Sequence, residues 1–135
     1  GAHAITRAAA PAMVKSGKGS IIFIASMASL FGIPKVVAYA AAKSAFVGVV
    51  RSLATELSPF GVRVNAIAPG WIHSRMTEHL KDDPERRDTI LRRTPLHRLG
   101  EPADVGYAAV YLSSRAAAFV TGVVLPVDGG VSIGF

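Results

Sequence analysis

Residues 20–57 read SIIFIASMASLFGIPKVVAYAAAKSAFVGVVRSLATEL, and the change of pattern inside this stretch decides the fold. Ile21 to Ala25 is a continuous apolar, β-branched run, the signature of a strand buried on both faces rather than one with a wet side. From about Val37 to Leu57 a long helix is expected, stopped by Pro59 and Gly61. Small residues dominate its first half, at Ala38, Ala40, Ala41, Ala42, Ser44, Ala45 and Gly48, so another helix or a ligand can approach closely. Tyr39 and Lys43 lie one helical turn apart and project from the same face. Ser26 ends the strand.

Outward from this core the alternation continues. Ala2 to Lys15 is apolar at helical intervals and closes at Ser16-Gly17-Lys18-Gly19. Val62 to Ala68 reads as a second buried strand, broken at Pro69-Gly70. Ser74 to Arg93 reads as one or two polar helices interrupted near Pro84, with Pro95 and Gly100 closing the insertion. Glu101-Pro102 opens a helix to about Ser113, with Pro102 suited to its first turn. Val123 to Val127 forms a third strand ending in Asp128-Gly129-Gly130. Strands separated by helices imply right-handed crossovers and an α/β fold with a parallel sheet. Three strands make an incomplete sheet, one flank of which would present unpaired backbone groups and uncovered apolar surface. The chain therefore reads as the second half of a larger doubly wound domain, the first half belonging to another chain, a further segment or a natural fusion.

Composition bounds the function. The 135 residues fit one domain, and half of them are apolar, enough for a core. No apolar stretch reads as long and uninterrupted enough to span a bilayer and no leader pattern is found, so the reading is a soluble cytoplasmic protein. The absence of cysteine excludes disulfides and thiolate chemistry. His3, His73, His79 and His97 lack a ligand spacing, so no metal is expected. The formal charge of +6 invites a nucleic-acid reading. However, Arg75, Lys81, Arg86, Arg87, Arg92, Arg93 and Arg98 are interleaved with Glu78, Asp82, Asp83, Glu85 and Asp88, which describes a mixed, exposed and mobile helical surface. No aromatic residue alternates with the basic ones, and no nucleic-acid partner is expected.

Chemistry enters with Ser26, Tyr39 and Lys43. A carbonyl reduced by hydride develops alkoxide charge and needs a donor for that oxygen and an acid to protonate it. Tyrosine can be that acid, but its ordinary pKa of about 10 is too high for base work near neutrality. A nearby ammonium stabilises the phenolate, a physical reason to set a lysine one turn away. Ser26, leaving the carboxyl end of a parallel strand, stands where open α/β sheets bind ligands. Taken singly these signals are weak: a tyrosine and lysine four apart are usually a solvated pair, and a serine ending a strand is usually a turn former.

Joined to other landmarks they become specific. With Ser26 thirteen positions before Tyr39, YAAAK from Tyr39 to Lys43, VRVNAIAPGWIHS from Val62 to Ser74, and TGVVLPVDGG from Thr121 to Gly130, the chain resembles, from end to end, the C-terminal half of a short-chain dehydrogenase/reductase. That resemblance implies a single Rossmann-type domain using NAD or NADP, of which residues 1–135 are the catalytic and substrate half, with a lid-like insertion at about 74–100. It implies that Tyr39 is the acid/base, that Ser26 positions the reacting oxygen, and that Lys43 lowers the pKa of Tyr39 and hydrogen-bonds the nicotinamide ribose. Pro69 and Gly70 would form the turn beside the nicotinamide, and the Ile72 backbone would bind its carboxamide. Ser74 stands where the family usually has threonine and can still reach the carboxamide or pyrophosphate.

Asn65 and Asp128 are read as structural, Trp71 as bordering the pocket, and Leu30, Phe31, Ile33, Val36 and the lid as its rim. The glycine-rich pyrophosphate turn does not occur, nor does the residue that separates NAD from NADP, so the isolated chain is expected to bind nucleotide poorly and to be inactive.

The leading expectation is hydride transfer between a nicotinamide and a secondary alcohol or ketone, with a 3-oxoacyl thioester reductase or a sugar or polyol dehydrogenase also open. The alternative is a truncated, non-catalytic homologue that keeps only its oligomerisation surfaces. The first helix and the Tyr39 helix, side by side and alanine-rich outside, suit a homo-oligomer, a dimer or a tetramer.

Overall fold

The structure is a computed structural model and describes residues 1–133. Its elements run α1 (Ala2–Ser16), β1 (Gly19–Ile24), α2 (Val37–Leu57), β2 (Val62–Pro69), α3 (Pro84–Arg92), α4 (Pro102–Ser113) and β3 (Val124–Val127), joined by short 3₁₀ turns. The three strands form one parallel sheet in the order β1-β2-β3. This is the expected α/β architecture.

Local chemistry sets the boundaries. α1 ends because Gly17 takes a left-handed conformation, φ 67°, and returns its N–H to the Val14 carbonyl. Gly61 does the same after α2, φ 75°, packed so closely on Gly17 that an added Cβ would collide with the Gly17 carbonyl. α3 starts on Pro84, with the Asp83 side chain accepting from the Arg86 N–H.

Two apolar layers cover the sheet. On one face Phe23, Val64, Ala66 and Ala68 pack against Val50 and Ala54 of α2, with Phe46, Leu53 and Ala2 of α1 around them. On the other, Ile67 packs on Leu112 of α4 and on Ala117. α1 and α2 thus share one face, as expected.

The expectation that every strand is buried on both faces holds only for β2. β1 and β3 are edge strands among the described residues, so both are largely half-buried, and Ile24 is 47% exposed. Burial on both faces requires neighbours on both sides, and the sheet supplies these only to its middle strand. The expectation that no stretch can span a bilayer also needs correction: Val37–Phe60 is long and apolar enough, with a mean hydropathy of 1.2. In the fold that helix lies on β2, and it carries Lys43, Arg51 and Glu56.

The insertion is anchored rather than loose. Leu80, Ile90 and Leu99 are buried together against Trp71 and Leu91. Its neck is a parallel bridge between Ile72 and Gly100, in which His73 N–H donates to Gly100 O and Gly100 N–H to Trp71 O, each at 2.8 Å. Arg98 closes it on α4 through two hydrogen bonds to Asp104, at 2.8 and 3.3 Å. That pair holds the Asp104 carboxyl below its ordinary range and the Arg98 proton more tightly than usual, chiefly through the shared hydrogen bond.

Candidate active site

β1 delivers Ser26 to the carboxyl end of the sheet. There its extended backbone turns into the 3₁₀ segment Met27–Ser29, and its buried Oγ accepts the Ala28 N–H at 3.2 Å. α2 packs against that turn and brings its own residues to the strand end. Lys43 Nζ donates to the carbonyl of Ile24 at 2.8 Å, two residues before Ser26. The same ammonium lies 5.9 Å from the Tyr39 ring centre and 5.5 Å from that of Phe46. Phe46 in turn packs on Phe23 of β1, ring centres 5.2 Å apart. One face of α2 is therefore bound to the carboxyl end of β1 by a cation and an aromatic contact. Tyr39, one turn nearer the helix start, is left 40% exposed.

The carboxyl end of β2 lies alongside. Ile24 is in register with Ile67, and Ala25 N–H extends the ladder to Ile67 O at 2.8 Å, so the segment after β2 neighbours Ser26. Pro69 pairs with Val127, and Gly70 donates to Val127 O at 3.0 Å. Gly70 is required by close approach, since a Cβ there would sit 2.6 Å from Asp128 Cα. Asp128 itself ties a turn, accepting from the N–H groups of Gly130 and Ser132.

Ile72 and Ser74 are positioned by a residue that the sequence reading passed over. Thr77 is buried; its Oγ1 donates to Ile72 O at 2.7 Å and accepts the Ser74 N–H at 3.0 Å. The Ile72 carbonyl is thus occupied, whereas its N–H has no protein acceptor among the described residues. Ser74 caps the following 3₁₀ turn reciprocally with Thr77. A serine followed three residues later by a threonine was the available signal, a variant of the capping-box pattern. Asn65 is fully buried, donating to Val120 O at 3.0 Å and accepting from Val123 N–H at 3.1 Å.

A cavity of about 110 Å³ opens between the loop after Ser26 and the insertion, lined by Phe31, Ile33, Trp71 and residues of α3. Phe31 and Ile33 also line a neighbouring groove with Leu30, and Val36 lines neither.

A family model described as enoyl-(acyl carrier protein) reductase matches residues 1–132. The chain is 45% identical over 126 residues to 2-dehydro-3-deoxy-D-gluconate 5-dehydrogenase of Bacillus subtilis (strain 168), covering 93% of this chain and 50% of that protein. It is 40% identical over 134 residues to the 3-oxoacyl-[acyl-carrier-protein] reductase FabG of Thermotoga maritima, covering 98% and 53%. Among solved structures, a candidate NAD(P)-dependent gluconate 5-dehydrogenase from Beutenbergia cavernae, with NADP bound at low occupancy, superposes with a TM-score of 0.95 at 44% identity, covering 98% of this chain and 53% of that one. The chain spans about half the length of the curated relatives it matches. With the family match running from end to end and the sheet, the Tyr39 helix and the turn after β2 all in place, the chain belongs to the short-chain dehydrogenase/reductase family.

Proposed function

We propose that residues 1–135 form the catalytic and substrate half of one Rossmann-type domain, and that the domain transfers hydride between NAD or NADP and a secondary alcohol or ketone. The observation that carries this reading is the Lys43 ammonium joined to the strand end that leads to Ser26, with Tyr39 on the same helix face. The half-exposed sheet edge at Ile24 supports a further strand beyond β1. Relatives acting on sugar acids and on 3-oxoacyl thioesters share the chemistry of a carbinol carbon and its carbonyl.

The residues present fit the nicotinamide end of such a cofactor. The free Ile72 N–H is a donor for a carboxamide oxygen, beside a turn that Gly70 keeps close to the sheet. When bound, the nicotinamide gives or accepts the hydride. In alcohol oxidation the Ser26 hydroxyl holds the substrate oxygen, and Tyr39 Oη takes its proton as the carbonyl forms. In reduction Tyr39 returns it. Lys43 supplies a positive charge 5.9 Å from the Tyr39 ring centre while that proton moves. The lid, tied down at Ile72–Gly100 and Arg98–Asp104, keeps water from the reacting carbon.

We further infer a homo-oligomer working in the cytoplasm. α1 and α2 share one face of the sheet, and Ile5 and Val37 expose apolar surface there. A chain without cysteine is compatible with a reducing compartment.

The test is nucleotide titration and turnover together. Saturable binding of NADH or NADPH, with oxidation of a secondary alcohol that Tyr39→Phe abolishes, is the expected result. Turnover that survives Tyr39→Phe unchanged overturns the assignment.

A further inference from the structure

The cavity beside Ser26 carries a single charge. Its wall runs from Met27, the neighbour of Ser26, through Phe31 and Ile33 to Trp71, the neighbour of Gly70, and closes on Thr89 and Arg93 of the insertion. Among the described residues no carboxylate lines it. The Thr89 hydroxyl is already engaged, donating to Glu85 O at 2.9 Å and accepting from Arg92 at 3.2 Å. Arg93 therefore supplies the free polar side chain of an otherwise apolar wall.

Among the described residues that guanidinium has no acidic partner. The ion pairs among the described residues are His73–Glu101, Lys81–Glu78 and Arg98–Asp104, and Arg93 takes part in none of them. The C-terminal end of α3 favours a cation at Arg92 and Arg93 alike, but only Arg93 borders the cavity. Arg93 is exposed to solvent where it borders the cavity, and its planar fork gains most from an anion of matching geometry. One cation in a small cavity matches a planar monoanion better than a phosphate, which carries nearly two charges.

We propose that Arg93 binds a carboxylate of the substrate, so that the site takes hydroxy or oxo carboxylic acids, the carboxylate in this cavity and the reacting carbon at Ser26 and Tyr39. The inference rests on the redox reading above and narrows its substrate class. Arg93 is then the residue that sets specificity between an acid and the corresponding neutral alcohol.

Trp71 is the one tryptophan of the chain and lines the cavity, so its fluorescence reports occupancy directly. The protein is titrated with sodium 3-hydroxybutanoate and with 1,3-butanediol, the same skeleton without the charge, against sodium chloride of equal ionic strength. The acid is expected to change the emission saturably and the diol not to. Arg93→Gln should weaken binding of the acid at least tenfold, and Arg93→Lys by less, with circular dichroism showing both variants folded. Equal responses to acid and diol, no saturable response to the acid, or an unchanged affinity in folded Arg93→Gln each overturn the assignment. Nicotinamide-coupled turnover is followed in parallel. Turnover of the two compounds with equal kcat/KM in parent and Arg93→Gln keeps the redox reading and rejects the carboxylate site. Arg93-dependent binding without turnover keeps the site and rejects the redox reading.

Discussion

Lys43 Nζ donates to the main-chain carbonyl of Ile24 at 2.8 Å, joining the helix that carries Tyr39 to the end of the strand that leads to Ser26. Among the described residues β1 has a strand on one side only, and the ammonium fills the Ile24 carbonyl at its end. The lysine thus has an architectural contact as well as the electrostatic role proposed for it.

Replacing Lys43 should separate those two effects. Lys43→Ala removes both and is expected to lower kcat by roughly 10²–10⁴-fold, the usual scale of acid–base catalysis. Lys43→Arg keeps a charge but not the compact ammonium, and should recover part of the rate. Steady-state kinetics of both variants checks this: a Lys43→Arg rate no higher than that of Lys43→Ala counts against the electrostatic role.

Asn65 is a fully buried strap between β2 and the chain entering β3, its amide bonded to Val120 O and Val123 N–H. Asn65→Ala leaves the Val123 N–H without its acceptor, whereas Val120 O keeps the Arg63 guanidinium at 3.3 Å, and should cost roughly 1–3 kcal/mol. Urea unfolding measures the loss, and the kinetic constants of the folded fraction should change little.

Gly70→Ala places a methyl 2.6 Å from Asp128 Cα, a contact between two main-chain segments that no side-chain rotation relieves. The expected destabilisation is about 1–3 kcal/mol, as for overpacked interiors. Because the turn after β2 must shift, KM for the nicotinamide should rise as well, which a packing defect elsewhere would not cause.

The Arg98–Asp104 pair adds a pH dependence at the acid end. Its hydrogen bond depresses the Asp104 pKa in the folded state, so the contribution is complete above the ordinary value of 3.8 and lost as pH falls below it. Asp104→Asn should flatten the thermal midpoint over that acid range and lower it at neutral pH by the same amount, a small one because the pair is solvent-exposed. Differential scanning calorimetry across pH tests the difference.

Much of this protein was legible in residue order because the deciding signals are local. α2 runs from Val37 to Leu57 as the apolar run and the Pro59-Gly61 stop require, and β2 is the buried strand expected over Val62 to Ala68. The Tyr39–Lys43 spacing sets both side chains on one helix face whatever surrounds them. Three matters needed the tertiary structure. Ile24 is exposed because strand order, not composition, decides which strand has two neighbours. Thr77 orders Ile72 and Ser74 only because the chain after β2 folds back into a 3₁₀ turn. Arg93 looks like any other charge in a mixed run, and what distinguishes it is the cavity it borders. Periodicity and spacing are properties of the chain alone, whereas exposure, pairing and enclosure depend on what long-range folding brings within a few ångströms.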